Sequence, residues 1–324
     1  MKIKILSFMM ALTMVLSVLL TGCGKEQYAY EVYDSLGTMD GESIAFRLVY
    51  FSARCEQASV ESYYYQTMGI DMWSQEVSAG KTMEKEVKDV ILKDLKNMLI
   101  LEKYAAEKGI KLTDAEVESI RKAAESFMTN NSEDAIKKMG ATQEIVERYL
   151  TLYSISNRAH EEIVSVANTD FPLNDYKRST VSYILLPKKD YSFIEAQKVL
   201  EECLKNYDAL TGKDGKYKPT KLTYSMEGTK DKNISAATMD ILKKMVTGEV
   251  YKELITTEDS YMIVKMVEEF DTEASTKAKE ALIKEAEQKV YDAAIKELQD
   301  KTVFVINEEA WAAIKFDIHF EILQ

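Results

Sequence analysis

The sequence predicts a predominantly helical α+β fold, in which both ends of the chain build one helical domain and a small α/β domain is inserted between them. Three observations lead to this prediction: helical apolar spacing in residues 44–166, a β-α-β-α-β order in residues 180–267, and a helical period that returns after residue 272. The predicted segments are a signal peptide (1–22), a lipidated tether (23–37), the N-terminal part of the helical domain (38–177), the α/β domain (178–271) and a C-terminal helix that completes the helical domain (272–324).

The N-terminus has the order of a bacterial export signal. Lys2 and Lys4 precede an apolar run, Ile5–Leu20, which is shorter than the roughly 20 residues that a membrane-spanning helix needs. The run ends in Leu20-Thr21-Gly22-Cys23, which resembles the lipobox of bacterial lipoproteins. The resemblance implies cleavage before Cys23 and a diacyl lipid on its sulfur. We therefore expect an extracytoplasmic protein that is lipid-anchored to the bacterial cell membrane.

Charge and cysteine content exclude several classes of protein. The net charge of −12 becomes about −14 without residues 1–22, because two lysines and no acid are lost. Binding to nucleic acid or to anionic lipid through bulk charge is therefore excluded. Cys55 and Cys203 both have the neighbours of core positions, and the sequence favours free thiols while leaving one disulfide open.

The helical segment is predicted from spacing and from capping residues. In Glu84–Lys108 apolar residues recur three, four and seven positions apart, and Gly109 ends the pattern. Thr113 and Glu116 then form a capping box for the next helix. Met39–Ile44 is interpreted as a turn followed by the start of a helix.

The α/β segment begins after Pro172. Strands are predicted at Thr180–Leu186, at Lys221–Met226 and, as a central strand, at Tyr261–Val267. A capping box, Ser192-Phe193-Ile194-Glu195, opens a helix between the first two strands. Residues 180–267 together have the size of one small α/β domain.

The last helical segment carries an alanine-rich apolar stripe that has no partner within its own segment. We expect the stripe to pack against the N-terminal helices. Its residues are Ala278, Leu282, Ala286, Val290, Ala293 and Leu298.

Four short matches in the right order resemble the SurA/PrsA-type extracytoplasmic foldases. Asp40-Gly41-Glu42-Ser43-Ile44 is similar to the start of their helical chaperone domain, which has a trigger-factor-like fold. Val181-Ser182-Tyr183-Ile184-Leu185-Leu186 resembles the first strand of a parvulin-type peptidyl-prolyl isomerase domain. Gly248-Glu249-Val250 resembles the segment after its last helix. Ser260-Tyr261-Met262-Ile263-Val264-Lys265-Met266 looks like its final strand.

The chain departs from the family at the positions that matter for isomerisation. Tyr183 and Met262 replace the two family histidines, and Tyr261 stands beside the second of them. Prolyl isomerisation must lower a barrier of about 18–20 kcal/mol. Tyr183 can donate a hydrogen bond, whereas the Met262 thioether accepts only weakly. The resemblance therefore implies a parvulin-like domain with weak or no isomerase activity.

Other catalytic and cofactor chemistry finds no support in the sequence. His160 and His319 lie far apart, and neither belongs to a metal-binding motif. Ala79–Thr82 has the Gly-Lys-Thr of a P-loop, but Gln75 replaces its first glycine. We expect no metal and no cofactor.

A tyrosine- and methionine-rich segment is the candidate client-binding surface. Thioethers and phenol rings suit surfaces that accept many sequences, and packing in the core is the alternative interpretation. Its residues are Tyr63, Tyr64, Tyr65, Met68, Met72 and Trp73.

Together these features predict a membrane-anchored foldase or chaperone that binds unfolded or newly secreted polypeptides without ATP. The alternative is an active peptidyl-prolyl isomerase with a non-standard site. A surface adhesin or solute-binding lipoprotein is a third candidate, although the chain lacks the two α/β lobes of solute receptors. A homodimer is left open by the sequence.

Overall fold

The computed structural model describes residues 15–18 and 27–323 and divides the chain into two units. Met1–Val166 and Val290–Gln324 form one unit, here called the composite unit, and Ala167–Lys289 form the α/β unit. The predicted class, predominantly helical α+β, is confirmed. The α/β unit starts and ends outside the predicted range of 178–271, since it also contains the connecting residues 167–177 and the first part of the last long helix. Cys23 and its predicted lipid lie outside the described residues.

The first part of the composite unit is an array of helices with short strands. The helices are α1 (Phe46–Met68), α2 (Met83–Lys108), α3 (Asp114–Asn130), α4 (Glu133–Lys138) and α5 (Gln143–Val164). The strands are β1 (Val15–Val18), β2 (Ser35–Met39), β3 (Glu42–Ala45), β4 (Glu76–Ser78) and β5 (Lys81–Thr82). Side-chain oxygens accept hydrogen bonds from the first turns of four of these helices; the residues are Thr82, Thr113, Ser132 and Thr142.

The structure differs from the predicted tether at residues 27–37 and from the predicted helix start at Met39–Ile44. Strand β2 pairs with β3 in an antiparallel hairpin, and Leu36 is fully buried in the core. Asp40 and Gly41 both have positive φ angles, of 53° and 88°. An Asp-Gly pair with positive φ at both residues is the turn that matches the twist of a hairpin, so the chain returns as a strand before the helix begins at Phe46.

The α/β unit contains one antiparallel sheet with a helix on each face. Its elements are β6 (Arg178–Pro187), α6 (Phe193–Thr211), β7 (Thr220–Ser225), α7 (Ala236–Leu242), β8 (Ile255–Thr256) and β9 (Ser260–Glu268). The strand order is β7-β6-β9-β8, so the segment predicted as a central strand is central. Helix α6 packs on the face that carries Ile184, Leu186 and Ile263, and α7 packs on the face that carries Tyr183, Met262 and Val264.

The chain then returns to the composite unit through α8 (Thr272–Asp300), β10 (Phe304–Ile306), α9 (Glu308–Ala312) and β11 (Phe320–Leu323). The end of α8 joins a core cluster with Ile100 of α2 and Ile155 of α5. Ile295 is its buried residue, whereas Ala293 of the predicted stripe is exposed. Strand β10 pairs with β2, so both ends of the chain share one sheet.

Within residues 15–18 and 27–323, no helix combines the length and the apolar character needed to cross a bilayer.

Cys55 and Cys203 are free thiols. Burial raises the pKa of the Cys203 thiol to about 11 and that of Cys55 well above its ordinary value, so both thiols stay protonated at neutral pH.

Gly37 of β2 lies opposite Ile306 of β10, close to the backbone of the C-terminal segment. A Cβ at Gly37 would collide with the carbonyl oxygen of Val305, and its φ is +139°. Gly41 also has a positive φ, but a Cβ there meets no atom within 4 Å. We expect Gly37→Ala to lower the free energy of unfolding by about 2–3 kcal/mol and Gly41→Ala by about 1 kcal/mol. Urea titration followed by tryptophan fluorescence measures both; equal losses would contradict the close crossing.

Candidate functional site

The two positions that replace the family histidines are neighbours on one face of the α/β sheet. Tyr183 lies in β6 and pairs with Val264 of β9, and Leu185 pairs with Met262. Because side chains two residues apart point to the same face, Tyr183 and Met262 are diagonal cross-strand neighbours. The structure thus brings together the pair that the sequence singled out.

This face is closed. Tyr183 is 2% exposed and Met262 is 0% exposed. They pack in one cluster with Met239 and Leu242 of α7 and with Met245. A proline ring could reach either side chain only by displacing these covering residues. Methionines fill such irregular interiors well because their unbranched thioethers adapt in shape.

The Tyr183 hydroxyl is tied into a polar network at the edge of the closed face. It donates a hydrogen bond to Oδ2 of Asp231 at 2.6 Å, and the Asn233 amide lies 3.4 Å from the same hydroxyl. Asp231 Oδ1 also accepts from the backbone N–H and the side-chain amide of Asn233, at 2.9 and 3.0 Å. The side chain of Asp231 therefore shapes the loop before α7 and holds the phenol in place.

The pKa values in this network follow from these contacts. Partial burial acts to raise the pKa of Asp231, but the hydrogen bonds from Tyr183 and Asn233 outweigh it and lower the pKa below its ordinary value. Burial, followed by the contact with Asp231, raises the pKa of Tyr183. At neutral pH the pair is therefore a phenol that donates to a carboxylate. The hydroxyl proton of Tyr183 is therefore already used in the hydrogen bond to Asp231.

Tyr261, the third predicted position, lies on the other face of the sheet. It is half-buried, and its ring is 5.8 Å from that of Phe193, at the start of α6. Phe193 and Ile194 are 54% and 69% exposed. The structure therefore separates Tyr261 from Tyr183 and Met262, and places it beside an exposed apolar pair.

The predicted client-binding segment is divided by the fold. Tyr63 and Tyr64 lie on α1, are 78% and 42% exposed, and contact each other with ring centroids 4.9 Å apart. Met72 and Trp73 are instead buried in the core of the composite unit, because the short helix after α1 turns them inward. The side chains of Tyr65 and Met68 lie outside the described part of the chain.

A buried polar row on α1 was not identified from the sequence. Arg54, Gln57 and Glu61 are buried on one side of the helix. Arg54 donates to the carbonyl of Lys315 at 2.7 Å, and Gln57 donates to the carbonyl of Ile318. We call Arg54, Gln57 and Glu61 the polar row. It binds the main chain of the C-terminal segment.

Glu61 ends the polar row and is 1% exposed. Its Oε1 accepts from the Gln57 amide at 2.9 Å and from the Trp73 indole N–H at 2.7 Å. Its Oε2 accepts from the backbone N–H of Phe320 at 2.8 Å, and Nδ1 of His319 lies 3.1 Å from Oε1. The sequence signal was present, since Arg54, Gln57 and Glu61 recur three and four positions apart and therefore share one side of α1. Nothing in that signal indicates the backbone atoms that they bind.

A further cation fixes the same segment from the neighbouring helix. Lys88 of α2 is buried and donates to the carbonyls of Trp311 and Ile314. Burial lowers the pKa of Lys88 below its ordinary value. Across the two described ranges, no group of three or more histidine, cysteine, aspartate or glutamate side chains could hold a metal ion.

The network around Asp231 gives a pH-dependent prediction. Because its pKa is depressed in the folded state, Asp231 contributes stability above the unfolded pKa, and that stability is lost as pH falls. Asp231→Asn should cost about 1–2 kcal/mol at pH 7 and flatten the decrease in stability on acidification. Asp175→Asn, at an exposed aspartate of the same unit, is the control. Urea unfolding by circular dichroism from pH 7 to pH 3 measures the effect; equal pH slopes for the Asp231→Asn and parent proteins would contradict it.

Comparison with known proteins gives structural matches alone. No protein-family model matches the chain, and no curated protein sequence matches it. The foldase protein PrsA from Lactococcus lactis has 16% identity over 87% of this chain and 98% of its own, with a TM-score of 0.35. PrsA from Streptococcus pneumoniae has 17% identity over 86% and 98%, with a TM-score of 0.27.

A third match is a structure titled for two SurA-like chaperones of Campylobacter jejuni, PEB4 and Cj1289. It has 13% identity over 73% of this chain and 94% of its own, with a TM-score of 0.28. These solved structures are SurA- and PrsA-type proteins, the family that the sequence motifs resemble. The function proposed below rests on the residues of this chain and not on these matches.

Proposed function

We propose that the chain is a membrane-anchored, extracytoplasmic foldase or chaperone that binds unfolded or newly exported polypeptides without ATP. The observation that carries the proposal is the pair of exposed rings on α1, Tyr63 and Tyr64, in the helical composite unit. Exposed aromatic rings offer large contact areas and a hydroxyl at low entropic cost, which suits a surface that binds many sequences.

The α/β unit supports binding more than catalysis. Both positions of the family histidines are buried, and the one hydroxyl among them already donates to Asp231. A catalytic group must touch the amide that it twists, and these side chains touch the core. The exposed pair Phe193 and Ile194 gives this unit a second apolar surface for a client.

The lipid anchor completes the proposal. Cys23 follows the signal-like segment, and a diacyl group there would keep the protein where exported chains emerge. Tethering raises the effective concentration of the chaperone on such chains without any further contact. No ATP-binding loop is needed, because binding and release of exposed apolar segments can proceed at equilibrium.

An aggregation assay tests the proposal. Residues 23–324 with Cys23→Ser, mixed with reduced lysozyme at a stoichiometric ratio, should slow its aggregation without ATP. Replacing Tyr63 and Tyr64 with serine should raise the amount of protein needed by about twofold or more. Val117→Ser, at an exposed apolar residue on α3, is the matched control.

In a proline-peptide assay the same sample should leave isomerisation at the uncatalysed rate.

Protection that is absent at every ratio would overturn the chaperone proposal. Protection that survives loss of both tyrosines would overturn their role. Clear acceleration of isomerisation would favour the enzyme alternative instead. Circular dichroism of each variant checks that it is folded.

A further inference from the structure

The C-terminal strand β11 pairs with a segment that the mature protein is expected to lose. Val15–Val18 runs antiparallel to Phe320–Leu323, with Val15 opposite Leu323 and Val18 opposite Phe320. In the described part of the chain these two strands form a sheet of their own. Val15–Val18 lies inside the apolar run of the predicted signal, so cleavage before Cys23 removes the partner and leaves β11 in place.

Without Val15–Val18, the edge of β11 that they covered has backbone N–H and C=O groups without hydrogen-bond partners. An unpaired strand edge is a template for another extended chain, because each unmet N–H and C=O favours pairing. The residues that occupy this edge in the unprocessed chain are Val-Leu-Ser-Val, which are uncharged and mostly apolar.

The start of the edge is held independently of its strand partner. The N–H of Phe320 donates to Glu61, and the Gln57 amide donates to the carbonyl of Ile318. The Phe320 side chain is buried in the core of the composite unit. These contacts hold the start of β11 in place when the partner leaves, so less conformational entropy is lost when a new strand binds.

We propose that the edge of Phe320–Leu323 is a docking site for an extended apolar segment of an exported client, and that residues Val15–Val18 occupy it before processing. The inference rests on the proposed chaperone function and adds a site and a mode of binding to it. Binding by strand addition takes its affinity from the main chain and is therefore tolerant of client sequence. Removal of the signal would open the site only after export.

A peptide-binding experiment tests the site. The protein is residues 23–324 with Cys23→Ser, and the probe is a fluorescent peptide of residues 13–20 with a tail of three lysines. We expect saturable binding by anisotropy and slower amide hydrogen exchange at residues 321–323. Deleting residues 321–324 should weaken binding at least about tenfold. Deleting Gln324 alone is the matched control and should leave binding unchanged.

A second probe separates strand addition from non-specific apolar contact. Because the Phe320 N–H donates to Glu61, the main-chain groups of residues 321 and 323 are the ones that face the partner strand. The same peptide with Val15→Pro and Ser17→Pro, at the positions opposite Leu323 and Glu321, lacks the two main-chain donors on that side and should bind at least about tenfold more weakly. Equal binding of both peptides would overturn the strand-addition mode. Equal binding by the protein without residues 321–324 would overturn the site. Dimerisation through this edge, detected by sedimentation, would assign it to a second copy of the chain and also overturn the proposal.

The aggregation assay distinguishes this inference from the function beneath it. If the mature protein protects lysozyme equally well without residues 321–324 and does not bind the peptide, only the docking site fails. If it binds the peptide at this edge but gives no protection, the chaperone function fails and the site stands.

Discussion

The buried carboxylate of Glu61 is the constraint on which the composite unit depends. A charge taken out of water is destabilising by several kcal/mol unless hydrogen bonds replace the lost hydration. Gln57 and Trp73 supply part of that replacement from the N-terminal half, and the Phe320 N–H and the His319 ring supply the rest from the C-terminal segment. The N-terminal helices therefore satisfy this group fully only when the end of the chain has returned, which makes the α/β unit an insertion in a domain that both chain ends must complete.

The α/β unit shows how one sheet can carry different chemistry. Tyr183 on β6 and Met262 on β9 lie side by side. The first is a phenol hydrogen-bonded to Asp231, and the second is an apolar thioether. Methionine side chains of α7 and the following residues close over them. The exposed apolar pair Phe193 and Ile194 lies outside this closed interior, at the start of α6.

The sequence predicted those features that local spacing determines. The capping boxes at Thr113 and Ser192 start α3 and α6 as expected, because cap and first turn lie within four residues. Strand β2 and the polar row on α1 were not predicted. The Asp40-Gly41 turn was a local signal for the hairpin of β2 and β3. The other partner of β2, Phe304–Ile306, and the Phe320 backbone that Glu61 binds lie more than 250 residues away, and no local pattern encodes those contacts.

Equilibrium unfolding of a Glu61→Ala variant tests the central claim most directly. Both tryptophans, Trp73 and Trp311, lie in the composite unit, so their fluorescence reports on that unit. Loss of the buried acceptor should lower its free energy of unfolding by about 3–5 kcal/mol, while Glu61→Gln, which keeps one acceptor oxygen, should lose less. An unchanged unfolding midpoint for Glu61→Ala would contradict the account that this carboxylate joins the two ends of the chain.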